Sequence, residues 1–219
     1  MIMLYIDDVS KIYKTKFNEV KALDNVNLKI NEGEFIVIRG ASGSGKTTLL
    51  LTIGGMLQPS NGKVIIDDSD IYAMSIRERA SFRANNIGFV FQMFHLVPYL
   101  NLIENVILPA RVGIANAGKN YGMELVKRFH LLGRERHKPS ELSAGEKQRT
   151  AIARALLNNP KIILADEPTG NLDPDNAGDV ISYLSEFHKN GGTVIVVTHG
   201  AVADQYADRI ISLKEGQIH

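Results

Sequence analysis

The sequence contains no cysteine among its 219 residues. It therefore cannot form a disulfide, bind a metal through thiolates or use a cysteine nucleophile, and this composition fits a reducing cytoplasm. No stretch approaches the roughly 18 to 20 consecutive apolar residues that a membrane-spanning helix needs. Asp7 and Asp8 follow the short apolar start at once, and no basic region precedes them, so we expect no signal peptide.

An excess of charge of either sign is also absent, since 25 Lys and Arg residues balance 24 Asp and Glu residues to a formal net charge of +1. Proteins that bind nucleic acid usually carry a basic face, so no nucleic-acid partner is expected. Hydrophobic residues make up 44% and charged residues 22% of the chain, which is ordinary for a folded globular domain. The length favours one domain, or two tightly joined subdomains, with a sizeable core.

Strand and helix patterns alternate along most of the chain. Alternating apolar residues at 4–12 and 24–30 predict half-buried strands. From about residue 93 to 159 the strand patterns vanish and helical spacing prevails until Pro160. Further strands are predicted at 35–38, 63–66, 87–91, 162–164, 194–197 and 210–213, with helices between the last three. The order predicts a mostly parallel sheet covered by helices, with a helical subdomain inserted into it.

A glycine-rich loop follows the predicted strand at 35–38 and precedes a predicted helix. Backbone N–H groups converge on phosphate oxygens only where no Cβ intervenes, and the helix start adds partial positive charge. The run matches the phosphate-binding pattern G-x-x-x-x-G-K-[ST] and consists of Gly40, Ala41, Ser42, Gly43, Ser44, Gly45, Lys46 and Thr47. We expect Lys46 to contact the β- and γ-phosphates of a nucleotide, Thr47 to bind Mg²⁺ and Thr48 to bind the α-phosphate. Such a loop alone does not choose among kinases, GTPases, helicases and transport ATPases.

Two carboxylates end the apolar run at 162–164. Their place at the carboxyl edge of the sheet is where open α/β folds bind ligands. Adjacent strand residues point to opposite sides, so Asp166 and Glu167 should have different tasks. We expect Asp166 to hold Mg²⁺ through water and Glu167 to polarise the attacking water as a general base. Alone, two acids before Pro168 could simply open a turn, but the upstream phosphate loop favours the metal-holding role.

A second anion site is predicted at the start of another helix. Ser143 can cap that helix, and Gly145 allows a phosphate to approach the backbone. The segment Leu142, Ser143, Ala144, Gly145 and Glu146 resembles the signature of ATP-binding-cassette (ABC) ATPases, usually Leu-Ser-Gly-Gly-Gln. Two residues depart from that pattern. Ala144 adds a methyl group that would tighten the site, and Glu146 adds charge near the nucleotide.

The resemblance extends from Tyr13 to His199 in the family order. It implies that Tyr13 stacks on adenine and that Gln92 senses Mg²⁺, as a further metal-site residue, together with the attacking water. It also implies that Asp173 lies in a loop that crosses a dimer interface and that His199 contacts the γ-phosphate. Glu167, His199, Lys46 and Gln92 would together carry out hydrolysis.

The resemblance also implies how the active site is completed. Two ATP molecules would be sandwiched in a homodimer or pseudo-dimer, each between the phosphate loop of one copy and Ser143, Gly145 and Glu146 of the other. The fold implied is α/β, a P-loop NTPase (RecA-like) core with a mostly parallel sheet, an N-terminal antiparallel β subdomain and an inserted α-helical subdomain. Residues 1–92 and 160–219 would form the core with the β subdomain, and residues 93–159 the helical subdomain.

The segment 93–106 is unusually apolar for a loop leading into a helix, and exposed apolar patches usually mark a partner surface. This segment, like the long loop Lys14–Lys21, resembles cassettes of the lipoprotein-release and macrolide-export group. The resemblance implies an integral membrane permease as partner and a location at the cytoplasmic face of the membrane. The alternatives are a non-transport cassette, such as a cell-division regulator or a soluble assembly ATPase, and a small P-loop kinase. The kinase would not need the 142–146 segment.

Overall fold

The structure is a computed structural model that describes residues 1–14, 18–111 and 118–219. Ten strands and six α-helices are defined within these residues. In chain order they are β1 (Ile2–Lys14), β2 (Glu19–Asn31), β3 (Phe35–Arg39), α1 (Lys46–Ile53), β4 (Asn61–Ile66), β5 (Ser69–Asp70), α2 (Ile76–Asn86), β6 (Ile87–Phe91), α3 (Leu102–Ile107), α4 (Lys119–Arg128), α5 (Ala144–Leu156), β7 (Ile162–Asp166), α6 (Pro174–Lys189), β8 (Thr193–Thr198), β9 (Arg209–Lys214) and β10 (Gln217–Ile218).

The N-terminal strands form a four-stranded antiparallel sheet in the order β2-β1-β4-β5. Leu4 and Ile6 are buried on one face of β1, as the alternation of apolar residues predicts. Both long strands extend beyond the predicted segments, because β1 continues to Lys14 and β2 begins at Glu19. The predicted Lys14–Lys21 loop is therefore partly strand, and its residues 15–17 lie outside the described part of the chain.

A six-stranded sheet in the order β10-β9-β3-β8-β7-β6 forms the centre of the molecule. The neighbouring strands β9, β3, β8, β7 and β6 all run parallel to one another. Strand β10 pairs antiparallel with β9 at one edge of the sheet. Both faces are covered. Phe35 and Val37 of β3 belong to one buried cluster, and Ile36 and Ile38 belong to the other. This arrangement explains why the central strands are apolar throughout, and it places the carboxyl ends of β3, β7 and β8 side by side.

Two parts of the helical content differ from the sequence prediction. Helix α2 was not predicted, and its polar sequence explains this, since the helix buries none of its residues. The predicted helix between β8 and β9 was wrong, because the only helical turn there is the 3₁₀ segment Asp204–Tyr206. The Asp204 side chain pairs with Arg39 at the end of β3, which ties this connection to the sheet.

The helices α3, α4 and α5 pack together and rest on the edge of the central sheet. Gly88 of β6 allows the close contact, because a Cβ at this position would lie 2.6 Å from the carbonyl oxygen of Ala155 in α5. The boundaries at residues 92 and 160 stay a prediction. Within the described ranges, no helix is both long enough and apolar enough to cross a membrane.

Candidate functional site

The phosphate-binding loop connects the central strand β3 to α1. Gly43 and Gly45 have φ values of 80° and 103°, in the left-handed region that glycine adopts at little cost. A Cβ at Gly45 would also lie 2.2 Å from the carbonyl oxygen of Ala22. No side chain caps the start of α1, so its first amides are available to an anion.

A cavity of about 610 Å³ opens beside this loop. The ammonium group of Lys46 donates to the carbonyl oxygens of Gly40 and Ala41 at 2.7 and 3.0 Å. Ser44, which is part of the loop, is buried and does not line the cavity. The lining brings together residues from five separate parts of the sequence: Ala22, Ser42, Gly43, Gly45, Lys46, Thr47, Thr48, Gln92, Glu167 and His199.

Asp166 faces the start of α1. Its Oδ1 accepts a hydrogen bond of 3.2 Å from the hydroxyl of Thr47. Burial raises the pKa of the Asp166 carboxyl, the hydrogen bond from Thr47 opposes this, and the negative charge of Glu167 adds to the increase. Two oxygen ligands of the kind that Mg²⁺ prefers therefore lie together beside the phosphate loop.

Glu167 faces the end of β8 instead. Its Oε2 accepts hydrogen bonds from the Thr198 hydroxyl at 2.9 Å and from the His199 backbone N–H at 3.3 Å. Its Oε1 lies 2.9 Å from Nδ1 of His199 and 3.9 Å from Nζ of Lys46. The two neighbouring carboxylates thus have different partners, and the Glu167 side chain is held in place in the cavity wall.

Gln92, at the end of β6, is linked to the loop that follows the acid pair. Its carbonyl oxygen accepts a bond of 3.0 Å from Nδ2 of Asn171, and its Nε2 lies 3.5 Å from Oδ1 of Asn171. A Cβ at Gly170 would lie 2.7 Å from the same Nε2. The end of β6 is therefore in direct contact with this loop.

Ser143 is the N-cap of α5, as predicted. The Ser143 hydroxyl accepts from the backbone N–H of Glu146 at 3.2 Å, and the Glu146 carboxylate accepts from the backbone N–H of Ser143 at 2.8 Å. Gly145 packs against α6, since a Cβ there would lie 2.2 Å from Oδ1 of Asn176. Neither Ser143, Gly145 nor Glu146 lines the phosphate cavity of the same chain.

Asp173 and Tyr13 also lie outside that cavity. Asp173 caps α6, and hydrogen bonds from the backbone and side chain of Asn176 hold the pKa of the Asp173 carboxyl below its usual value. Tyr13 is 42% exposed near the end of β1, with Nζ of Lys11 5.4 Å from its ring centroid. Its stacking on adenine stays a prediction.

Sequence reasoning missed several residues that shape the site. Ala22 lines the cavity from the N-terminal sheet, and nothing in its surroundings in the sequence marks it. Thr198 could have been noticed, because it is a polar residue at the end of an apolar strand. Gln148 is fully buried and donates to the carbonyl oxygen of Pro168 at 2.7 Å, joining α5 to the loop after Glu167.

No group of three or more His, Cys, Asp or Glu side chains placed to hold a metal ion occurs in the described part of the chain. A metal bound by Thr47 and Asp166 would therefore need phosphate oxygens and water to complete its shell. Mg²⁺ is usually bound in this way, by one or two protein ligands together with a nucleotide.

Comparison with known proteins places this geometry in a family. The family profile described as ABC transporter matches residues 23–170. The macrolide export ATP-binding/permease protein MacB of Chlorobaculum tepidum is 42% identical over 99% of this chain. The ATP-binding protein HrtA of Staphylococcus aureus is 41% identical over 98% of both chains. The chain spans about a third of the length of the MacB relative, since it covers 33% of that protein.

A solved structure agrees with these relatives. The ATP-binding cassette MJ0796, in a dimeric post-hydrolysis state bound to ADP and Pi, matches with a TM-score of 0.91 and 41% identity over 99% of this chain and 97% of that one. The chain belongs to the ABC transporter family and is an ATPase cassette of that family. Within the family it resembles the ATP-binding parts of MacB and HrtA, which confirms the predicted fold class and group. The alternative of a small P-loop kinase is wrong.

Proposed function

We propose that this chain binds ATP with Mg²⁺ and hydrolyses it as the motor subunit of a membrane transporter, in a dimer with a second cassette. One observation supports this most directly. The phosphate loop and Glu167 share a cavity, whereas Ser143 at the tip of α5 is exposed and lies outside it. Two helix starts suited to anions are thus separate within one chain, and a second copy can bring them together around a nucleotide.

The protein groups would act mainly by position and charge. Lys46 and the loop amides would bind the phosphates, and Glu167 would orient and deprotonate the attacking water. Thr198 and His199 hold the Glu167 carboxylate in place. Thr47, Asp166 and Gln92 would hold Mg²⁺, which when bound offsets negative charge on the phosphate oxygens.

Replacing Glu167 with glutamine tests the proposal. The variant should keep nucleotide binding but lose hydrolysis by about a hundredfold or more, since a general base is removed. It should run as a dimer in ATP, measured by size exclusion with light scattering, because the ATP that holds the two copies together persists. Glu124→Gln, on the exposed face of α4, is the matched control. A wild-type rate per chain that is independent of dilution would contradict the dimeric site.

A groove between the core and the helical segment supports the proposal that the cassette binds a membrane protein. It has a volume of about 520 Å³ and contains the stacked rings of Phe89 and Phe91, whose centroids are 5.3 Å apart. Met93 and Tyr99, in the adjoining segment, are 67% and 76% exposed. An apolar helix from a permease would cover these side chains and place the cassette at the cytoplasmic face of the membrane.

Positive charge in this groove suggests what the partner helix carries. Arg83 and Arg154 line the groove, and Arg79 lies next to Arg83. None of the three has a carboxylate partner among the residues the structure describes. Burial lowers the pKa of the Arg83 guanidinium, and repulsion by Arg79 adds to this. An acidic side chain on the docking helix would offset that repulsion.

A photo-crosslinking residue at Met56, which lines the groove, tests the docking site in intact membranes. The product should contain an integral membrane chain, crosslinked through a cytoplasmic helix that carries Asp or Glu. The same reagent at Val20, which is exposed on β2, is the control. Equal labelling of that chain from both positions would contradict docking in the groove.

A further inference from the structure

Both carboxylate oxygens of Glu146 are engaged by groups of the same chain. Oε2 accepts from the backbone N–H of Ser143 at 2.8 Å, and Oε1 accepts from Nε of Arg134 at 2.9 Å. The Glu146 side chain is only 17% exposed, whereas that of Arg134 is 50% exposed. The sequence suggested that Glu146 adds charge near the nucleotide, but in the structure this charge has a partner that belongs to none of the family motifs.

The charge of Glu146 matters because of where it lies. A carboxylate in the first turn of a helix stabilises that helix, but it repels a second anion at the same tip. Burial acts to raise the pKa of Glu146, yet the hydrogen bonds from Ser143 and Arg134 outweigh it and hold the pKa below its usual value. The carboxylate is therefore ionised at neutral pH, and without Arg134 it would repel a triphosphate.

Arg134 is held by a tight turn that is anchored to α3. The carbonyl oxygen of Arg134 accepts from the backbone N–H of His137 at 2.9 Å. The carbonyl oxygens of Glu135 and His137 accept from the backbone N–H groups of Ile103 and Leu102 at 3.1 and 2.8 Å. The backbone that carries Arg134 is thus fixed relative to the helical segment, and the ion pair needs no rearrangement of the chain to form.

We propose that Arg134 is a positioning residue for the second anion site. It fixes Glu146 and neutralises its charge, so that the exposed Ser143 hydroxyl and the first amides of α5 bind the triphosphate held by the partner copy. This inference rests on the proposed dimeric function. It adds a residue outside the family motifs and explains how a glutamate at position 146 is compatible with anion binding at this helix start.

A double-mutant cycle on Arg134 and Glu146, made in the Glu167→Gln background, tests the role of Arg134. Arg134→Gln should weaken ATP-dependent dimerisation by about tenfold at low salt, and less at high salt, because the unpaired carboxylate repels phosphate and salt screens that repulsion. The double variant Arg134→Gln with Glu146→Gln should regain most of the lost affinity. Arg136→Gln, at a neighbouring exposed arginine, should leave the affinity unchanged. Dimer dissociation constants come from sedimentation across a range of ATP and salt concentrations.

The outcomes separate this inference from the proposed function. If the Glu167→Gln protein fails to dimerise in ATP, the proposed function itself fails. If it dimerises but Arg134→Gln binds as tightly as its parent, or the double variant shows no recovery, the role of Arg134 is overturned. Arg134→Lys keeps the positive charge and should stay within about threefold of the parent. If Arg134→Gln folds poorly, Arg134→Lys tests the role instead. A tenfold loss of dimer affinity in a folded Arg134→Lys protein would contradict charge neutralisation.

Discussion

The carboxylate of Glu167 and the imidazole of His199 form a direct pair, with Oε1 2.9 Å from Nδ1. They follow β7 and β8, which are adjacent parallel strands, so the order of the sheet brings them together. Glu167 has a φ of 44°, in the left-handed region that a non-glycine residue adopts only at a cost. The bonds from the end of β8 hold this conformation in place.

Removing the Thr198 hydroxyl should disturb the reaction more than the binding of ATP. The hydroxyl donates to Glu167 at 2.9 Å, while Thr198 does not line the nucleotide cavity. We expect Thr198→Val to lower kcat by about tenfold and to change KM by less than about twofold, because a bond to the proposed general base is lost. Thr198→Ser keeps the hydroxyl and should retain most of the activity. Steady-state ATPase assays would contradict this if valine and serine behaved alike.

A methyl group at Gly170 should displace Gln92 with little effect on folding. The added Cβ would lie 2.7 Å from Nε2 of Gln92, at the flexible end of that side chain, which can move away. We expect Gly170→Ala to keep the melting temperature within about 3 °C of wild type and to lower ATPase activity by about fivefold or more. Gly178→Ala, in α6, meets no atom within 4 Å and is the matched control. Equal activity of the two variants would show that the position of Gln92 is unimportant.

Asn105 is expected to control the stability of the segment that precedes α3. It is fully buried, and its side chain accepts from the N–H of Val97 and donates to the carbonyl oxygens of Val97, Leu100 and Asn101. Asn105→Ala should lower the free energy of unfolding by about 2 to 4 kcal/mol, because several buried polar groups lose their partner. Urea unfolding measures this. Asn190→Ala, which removes one exposed bond to Glu186, should cost much less.

The cap of α2 should give a pH-dependent contribution to stability. Hydrogen bonds from Ser75 lower the pKa of Glu78 below its ordinary value of 4.5. At a pH between the folded and unfolded pKa values of Glu78, the unfolded chain binds more protons than the folded chain. The stabilisation by the Glu78 carboxylate is therefore complete above about pH 4.5 and is lost as the pH falls through the folded pKa. The stability difference between wild type and Glu78→Gln should therefore shrink from pH 7 to pH 3. Chemical unfolding at both values is the measurement, and a constant difference would contradict it.

Much of the fold followed from local patterns in the sequence. The apolar runs at 87–91 and 162–164 predicted buried strands of the central sheet, because a strand covered on both faces is apolar along its length. Helix α2 was not predicted because its sequence is mostly polar and none of its side chains is fully buried, so it shows no clear apolar periodicity. The connection after β8 was taken for a helix, but its contact between Asp204 and Arg39 depends on a residue far away in the chain. A pattern within one segment cannot reveal such a contact.

For the site, the sequence by itself determined which groups are available: a glycine loop that admits phosphate, two adjacent carboxylates, and a capped helix start. These follow from local backbone geometry and from side-chain chemistry, which neighbouring residues suffice to specify. Only the tertiary structure decided that Glu167 pairs with His199, that Gln92 meets Asn171, and that Arg134 neutralises Glu146. Those pairings depend on the order of strands in the sheet and on the packing of helices, because electrostatic and hydrogen-bond partners are set by distance in space rather than along the chain.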